Sequence, residues 1–204
     1  MRSKVSRDRI EAANAIYEMA EDWKLSNRTI SWLFKGFPLN NDPSTVTSKV
    51  LLINGLYNSN LKTPLSMVHH ILSLNELQGE LEKGDARIVD KVASVEGTTY
   101  RSFASKYAFF SNKSAYPMFD KYVAEALSVL IGKPVPDKSY LRFYELMLDL
   151  TQGPEMSGIP WEELDRYLWL LGQLPALRND GRGIGKEIKK LYQEAKPLFE
   201  RIEG

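Results

Sequence analysis

A chain of 204 residues with 43% hydrophobic and 26% charged side chains holds enough apolar material for one compact core, or for two small lobes sharing a groove, and that balance excludes a disordered chain. The absence of cysteine excludes disulfides, thiolate zinc sites, cysteine-ligated iron–sulfur clusters and a cysteine nucleophile. A net charge of +1 argues against a nucleic-acid binder held by bulk electrostatics and leaves room for a local basic face.

The polar opening MRSKVSRDRIEAAN lacks the apolar core of a secretory signal, and no run approaches the ~18 apolar residues of a spanning helix. A cytoplasmic protein is the expectation. From Ser6 to Trp23 the apolar positions Ile10, Ala13, Ile16, Tyr17 and Ala20 recur at helical spacing, predicting a first amphipathic helix. NNDPSTV then supplies turn residues and a cap for SKVLLINGLYNS, whose Val50, Leu51, Ile53, Leu56 and Tyr57 form a broad stripe expected to be buried. Thr63 before Pro64 marks the start of the next helix, and ELQGELEKGDARIVDKVASV reads as a mobile or partly helical connection ending in a short helix.

Five further segments keep a period near 3.6: TTYRSFASKYAFFS, DKYVAEALSVLIG, SYLRFYELMLDLTQ, PWEELDRYLWLLGQ and the basic GKEIKKLYQEAKPLFERI. Alternating period-2 runs are missing. The expected fold is therefore all-α, an irregular multi-helix unit over residues 1–204 that allows two lobes, the chain ends forming one of them. His69 and His70 are adjacent, without the i,i+4 spacing or clustered carboxylates of a metal pair, so neither a metal nor a cofactor is expected.

Asp120 stands out in AYPMFDKYVAEAL, a carboxylate between an aromatic run and the start of a helix. Together with LLINGLYNS, this run resembles the helix-hairpin-helix DNA glycosylases, the superfamily of endonuclease III and the 8-oxoguanine glycosylases, over residues 45–131. The resemblance implies a two-lobed helical fold, double-stranded DNA as partner, a hairpin that meets the DNA backbone, and an essential aspartate capping the following helix, here Asp120. It further implies DNA contacts from Asn58 and Asn60, and from the hairpin VEGTTYRS through Gly97, Thr98, Thr99 and Arg101. That hairpin has one glycine where the superfamily has a Gly-x-Gly turn. In a version with lyase activity the resemblance implies an attacking lysine; Lys106 lies fourteen positions before Asp120, and Ser102 stands nearer the expected register.

At a helix N-terminus, free N–H groups and the helix dipole would hold Asp120 ionised, suited to stabilising the positive charge that develops on deoxyribose as a base departs. Burial of Lys106 among Phe103, Tyr107 and Phe110 would favour the neutral amine a nucleophile needs. Phe109, Phe110, Tyr116 and Trp169 are the candidate walls for an everted base. Two other readings use the same residues: a non-catalytic DNA-binding member of the same fold, and a helical interaction protein in which Asp120 is an ordinary cap.

Overall fold

A computed structural model describes residues 5–136 and 139–204. Among these residues the chain forms twelve α-helices, one short 3-10 turn and a two-stranded ladder, so it is all-α. No helix among them is long and apolar enough to cross a membrane. The chain divides into two compact units: one takes in the chain up to Leu25, Asp120–Pro136 and Leu146–Gly204, the other Ser26–Phe119 and the segment ending at Glu145. The glycosylase-like stretch 45–131 therefore belongs to both units.

The first unit contains α1 (Arg7–Met19) and the first turn of α2 (Glu21–Gly36). The single helix expected to Trp23 is thus two, broken at Ala20, and Trp23 lies in α2. Glu187 stabilises that break: its carboxylate accepts from the exposed amides of Asp22 at 2.8 Å and Trp23 at 3.2 Å, supplying from elsewhere in the chain the cap α2 lacks locally. Helices α8 (Lys121–Ile131) and α10 (Trp161–Arg178) cross closely, and Gly172 makes that crossing feasible. A Cβ there would lie 2.1 Å from the Tyr122 carbonyl oxygen, well inside contact distance. The basic C-terminal run is also two helices, α11 (Lys186–Glu194) and α12 (Lys196–Glu203), meeting at Ala195. Buried Ile10, Ile16, Leu168, Val123, Phe199 and Ile202 fill this unit's core.

The second unit holds the rest of α2, then α3 (Pro43–Tyr57), α4 (Pro64–Ser73), α5 (Leu77–Lys83), α6 (Arg87–Ala93) and α7 (Arg101–Ser111). The sequence pattern passed over α2 between Trp23 and the Asn40–Asn41 turn, and read α5 as part of a mobile or partly helical connection; it is a helix. Asp42 starts α3 through a 2.7 Å bond from the Thr45 amide, with Pro43 at the first helical position. The fold's most buried helix is α7, where every residue from Phe103 to Phe110 is shielded from solvent. Helix α9 (Tyr140–Leu150) starts in this unit against Asp90 of α6, which accepts from the Tyr140 amide at 2.8 Å and the Ser139 hydroxyl at 3.2 Å.

Candidate functional site

Asp120 occupies the capping position of α8, as the sequence pattern predicts, with extended backbone and its Oδ1 accepting from the Val123 amide at 2.9 Å. It is half-buried and belongs to the first unit. One carboxylate oxygen thus orients the side chain on the helix start, the geometry of an anion held beside a positive dipole end.

Ser102 and Lys106 lie together in the second unit, one turn apart on α7. The Lys106 Nζ donates to Ser102 Oγ at 2.8 Å and approaches the Phe119 carbonyl at 3.4 Å; the Tyr57 ring centroid lies 5.5 Å away. Only 2% of Lys106 is exposed, a degree of burial the sequence does not announce. Ser105, absent from the expected set, ties down the residue before Asp120: its hydroxyl accepts from the Phe119 amide at 2.9 Å and donates to the Phe119 carbonyl at 3.2 Å. A small hydroxyl on a buried helix face is the only signal the sequence carries for this.

The hairpin between α6 and α7 is a minimal β-turn ladder, β1 (Ser94–Val95) with β2 (Thr98–Thr99), pairing Ser94 with Thr99 and Val95 with Thr98. Glu96 and Gly97 both take left-handed backbone, φ 48° and 76°, the geometry of a two-residue hairpin turn with glycine second. Thr98 and Thr99 are exposed beside it. Arg101 follows at the start of α7 but turns inward: it is 9% exposed, its Nε 3.6 Å from Asp90 Oδ1, its guanidinium 5.7 Å from the Phe119 ring. Asn58 and Asn60 are exposed at the end of α3, both with left-handed backbone, where asparagine is tolerated better than most residues.

The four aromatic rings are divided between the units, three in the second and Trp169 in the first. Phe109, Phe110 and Tyr116 are core residues of the second unit; Phe110 packs against Phe34 and Tyr57, and the Tyr116 hydroxyl donates to the Glu80 carbonyl at 3.1 Å. A base pocket drawn on these three would require them to leave that packing: the two phenylalanine rings are wholly apolar, and the Tyr116 hydroxyl has its partner inside the unit. Trp169 belongs to the first unit, 4.5 Å from Trp23 between centroids.

A buried polar cluster that sequence reading overlooks lies at Lys49 of α3. Its ammonium is wholly shielded and donates to Asn40 Oδ1 at 2.9 Å, the Leu39 carbonyl at 3.1 Å and the Pro38 carbonyl at 3.3 Å, with the Phe34 ring 4.7 Å off. Tyr107 donates to the same Asn40 oxygen at 2.6 Å, and Asn40 Nδ2 donates to Gln78 at 2.9 Å. Desolvation lowers the Lys49 ammonium to about 8 and raises the Tyr107 phenol. No group of three or more potential metal-ligating side chains occurs among the described residues, and the His70 Nε2 lies 2.9 Å from the Lys91 carbonyl.

These features define an all-helical protein with a capped aspartate in one unit and a buried lysine pair and a tight hairpin in the other. The chain belongs to the HI_0787 N-terminal domain family, whose model matches residues 9–115, more than half its length. That match takes in α1 to α7 and stops before Asp120. An uncharacterized protein of Haemophilus influenzae is 29% identical to the chain over 141 residues, 63% of this chain and 66% of the relative's own length. No solved structure matches.

Proposed function

We propose that the protein binds DNA and excises a damaged base, with Asp120 as the essential carboxylate. The observation that carries this reading is the order of elements: helix α6, a two-residue turn with exposed threonines, helix α7, and then an aspartate bound to the first turn of α8. It is the order that the resemblance to helix-hairpin-helix glycosylases calls for. In the chemistry, the C1′–N bond breaks with its electron pair leaving on the base, positive charge develops on the sugar, and a water molecule adds to C1′ while losing a proton. An oriented carboxylate stabilises the cationic sugar and accepts that proton.

Water is the favoured nucleophile over Lys106. An amine that is 2% exposed and bound to Ser102 must break those bonds to reach a sugar carbon. Borohydride reduction in the presence of an abasic duplex tests the choice: the hydrolytic route leaves no covalent adduct, and a trapped adduct lost in Lys106→Ala reverses it.

Incubating the protein with duplexes that carry 8-oxoguanine, uracil or alkylated bases, followed by alkaline cleavage of any abasic product, tests the main reading. Excision of at least one lesion, lost in Asp120→Asn, is the expected result. Burial of Lys106 also favours a second reading, a member of the same fold that binds duplex DNA without chemistry; salt-dependent binding with no excision would establish it. Absence of duplex affinity at low salt would leave a helical interaction protein.

A further inference from the structure

The second unit carries an exposed surface that the excision reading does not use. Trp32 of α2 is 67% exposed, an unusual position for the largest apolar side chain, and Phe37 and Leu39 in the following loop are 50% and 54% exposed. Arg28 and Lys35 stand four residues before and three after Trp32, so all three share one face of the helix. Both cations are exposed, and neither has an ion-pair or hydrogen-bond partner among the described residues. Between Ser26 and Asn41 the chain has no acidic residue at all, in a protein whose overall charge is only +1. Charge is therefore segregated here.

The loop's outward side chains are held in place from beneath. Lys49 draws the Pro38 and Leu39 carbonyls inward, and Asn40 is fixed by Lys49 and Tyr107 together. With its backbone oxygens turned to the core, the loop leaves Phe37 and Leu39 facing solvent. A preorganised apolar display loses less conformational entropy on binding than a mobile one. The partners of Lys49 among the described residues are neutral oxygens and one ring, so its positive charge is not cancelled locally; no carboxylate faces it, and the one titratable neighbour is the Tyr107 hydroxyl across Asn40.

We propose that Arg28, Trp32, Lys35 and the Lys49-held loop form a docking surface for single-stranded nucleic acid. Cation and ring alternate along the chain from this helix face into the loop: Arg28, Trp32, Lys35, Phe37. A single strand alternates in the same way, its phosphates meeting cations and its bases stacking on aromatic faces. Arg28 and Lys35 are separated by about 10 Å along the helix axis, room for one stacked base between two backbone contacts. An anionic lipid surface would favour a continuous apolar strip, whereas here Trp32 stands between Arg28 and Lys35 and the loop ends in Asn40 and Asn41. The inference rests on the nucleic-acid half of the proposed function and on neither Asp120 nor Lys106.

The test is binding of a fluorescein-labelled oligothymidylate of roughly 16 nucleotides, followed by anisotropy at several salt concentrations. Trp32→Ala should weaken binding about fivefold or more while thermal unfolding is unchanged, since that side chain stands in solvent. Arg28→Gln with Lys35→Gln should lower the slope of log affinity against log salt by about 0.7 per cation. The proposal is overturned if the wild-type chain does not bind the oligonucleotide, if these variants bind it as the wild type does, or if the protein binds phosphatidylglycerol vesicles and not the oligonucleotide. Trp32-dependent binding without excision of any lesion overturns only the excision reading; excision with Trp32-independent strand binding overturns only this one.

Discussion

Asp120 caps α8 and is the proposed catalytic carboxylate, and two substitutions separate the cap from the proposal. Asparagine retains a side-chain oxygen for the Val123 amide, so Asp120→Asn should leave stability within about 0.5 kcal/mol of wild type, whereas Asp120→Ala should cost about 1 kcal/mol in urea denaturation. If the carboxylate is the essential acid, both variants lose excision alike; a fall in activity that tracks stability would mark a cap and nothing more. Lys49 yields a prediction in pH. Its folded-state value of about 8 lies below its ordinary value of 10.5, so between those limits the unfolded chain holds more protons and stability rises with pH. The gain is fully present above the unfolded value and is lost as pH falls through about 8. Tyr107 opposes it at the alkaline end: its phenol is raised in the fold, so the stability it contributes is lost as pH climbs past its ordinary value of 10. Denaturation midpoints should therefore increase from pH 8 to about 10, by at most about 1.4 kcal/mol per pH unit, and Lys49→Met should flatten that rise.

Helix starts in this protein are often completed by distant residues. Asp90 on α6 caps α9, and Glu187 on α11 caps α2, so each carboxylate ties together elements far apart in sequence. Asp90→Ala removes the cap of α9 and takes from Arg101, whose Nε already lacks a hydrogen bond, the carboxylate it pairs with; a loss of about 2 kcal/mol or more is expected in chemical denaturation, with Asp90→Asn milder. Gly172 is decided by close approach: Gly172→Ala must push α10 away from the Tyr122 carbonyl, and a loss of about 3 kcal/mol is expected from the same measurement. Helical periodicity identified α3, α7, α8, α9 and α10, and the Thr63-Pro64 start identified α4, although Leu51 and Leu56 of the stripe expected to be buried on α3 stand in solvent. The periodicity missed α2 beyond Trp23, although Ile30, Leu33 and Phe34 are buried there at helical spacing, and it joined α1 to α2 because Ala20 breaks the helix without glycine or proline.

A chain of nearly zero net charge can bind nucleic acid only through local basic surfaces, so any duplex affinity should fall as salt rises from about 50 to 200 mM, read by anisotropy on a labelled duplex. Salt-independent association would point to a protein partner. The family match spans α1 to α7 and includes the hairpin, Ser102, Lys106 and the Lys49 cluster, whereas Asp120 lies outside it. Comparing the chain with its Haemophilus influenzae relative in the same excision and strand-binding assays would separate a shared activity from one confined to this chain.

Composition and periodicity by themselves determined an all-α chain without disulfides, and the Asp-Lys-Tyr-Val order announced the cap at Asp120, because capping and helical repeats are local and depend on neighbours a few residues away. Only the tertiary structure decided which side chains are covered. Lys106 and Lys49 are lysines by sequence and buried donors by packing, Arg101 turns inward to Asp90, and Phe109, Phe110 and Tyr116 became core while Trp32 remained in solvent. Burial depends on contacts made between residues tens of positions apart, and those contacts exist only once the helices have met.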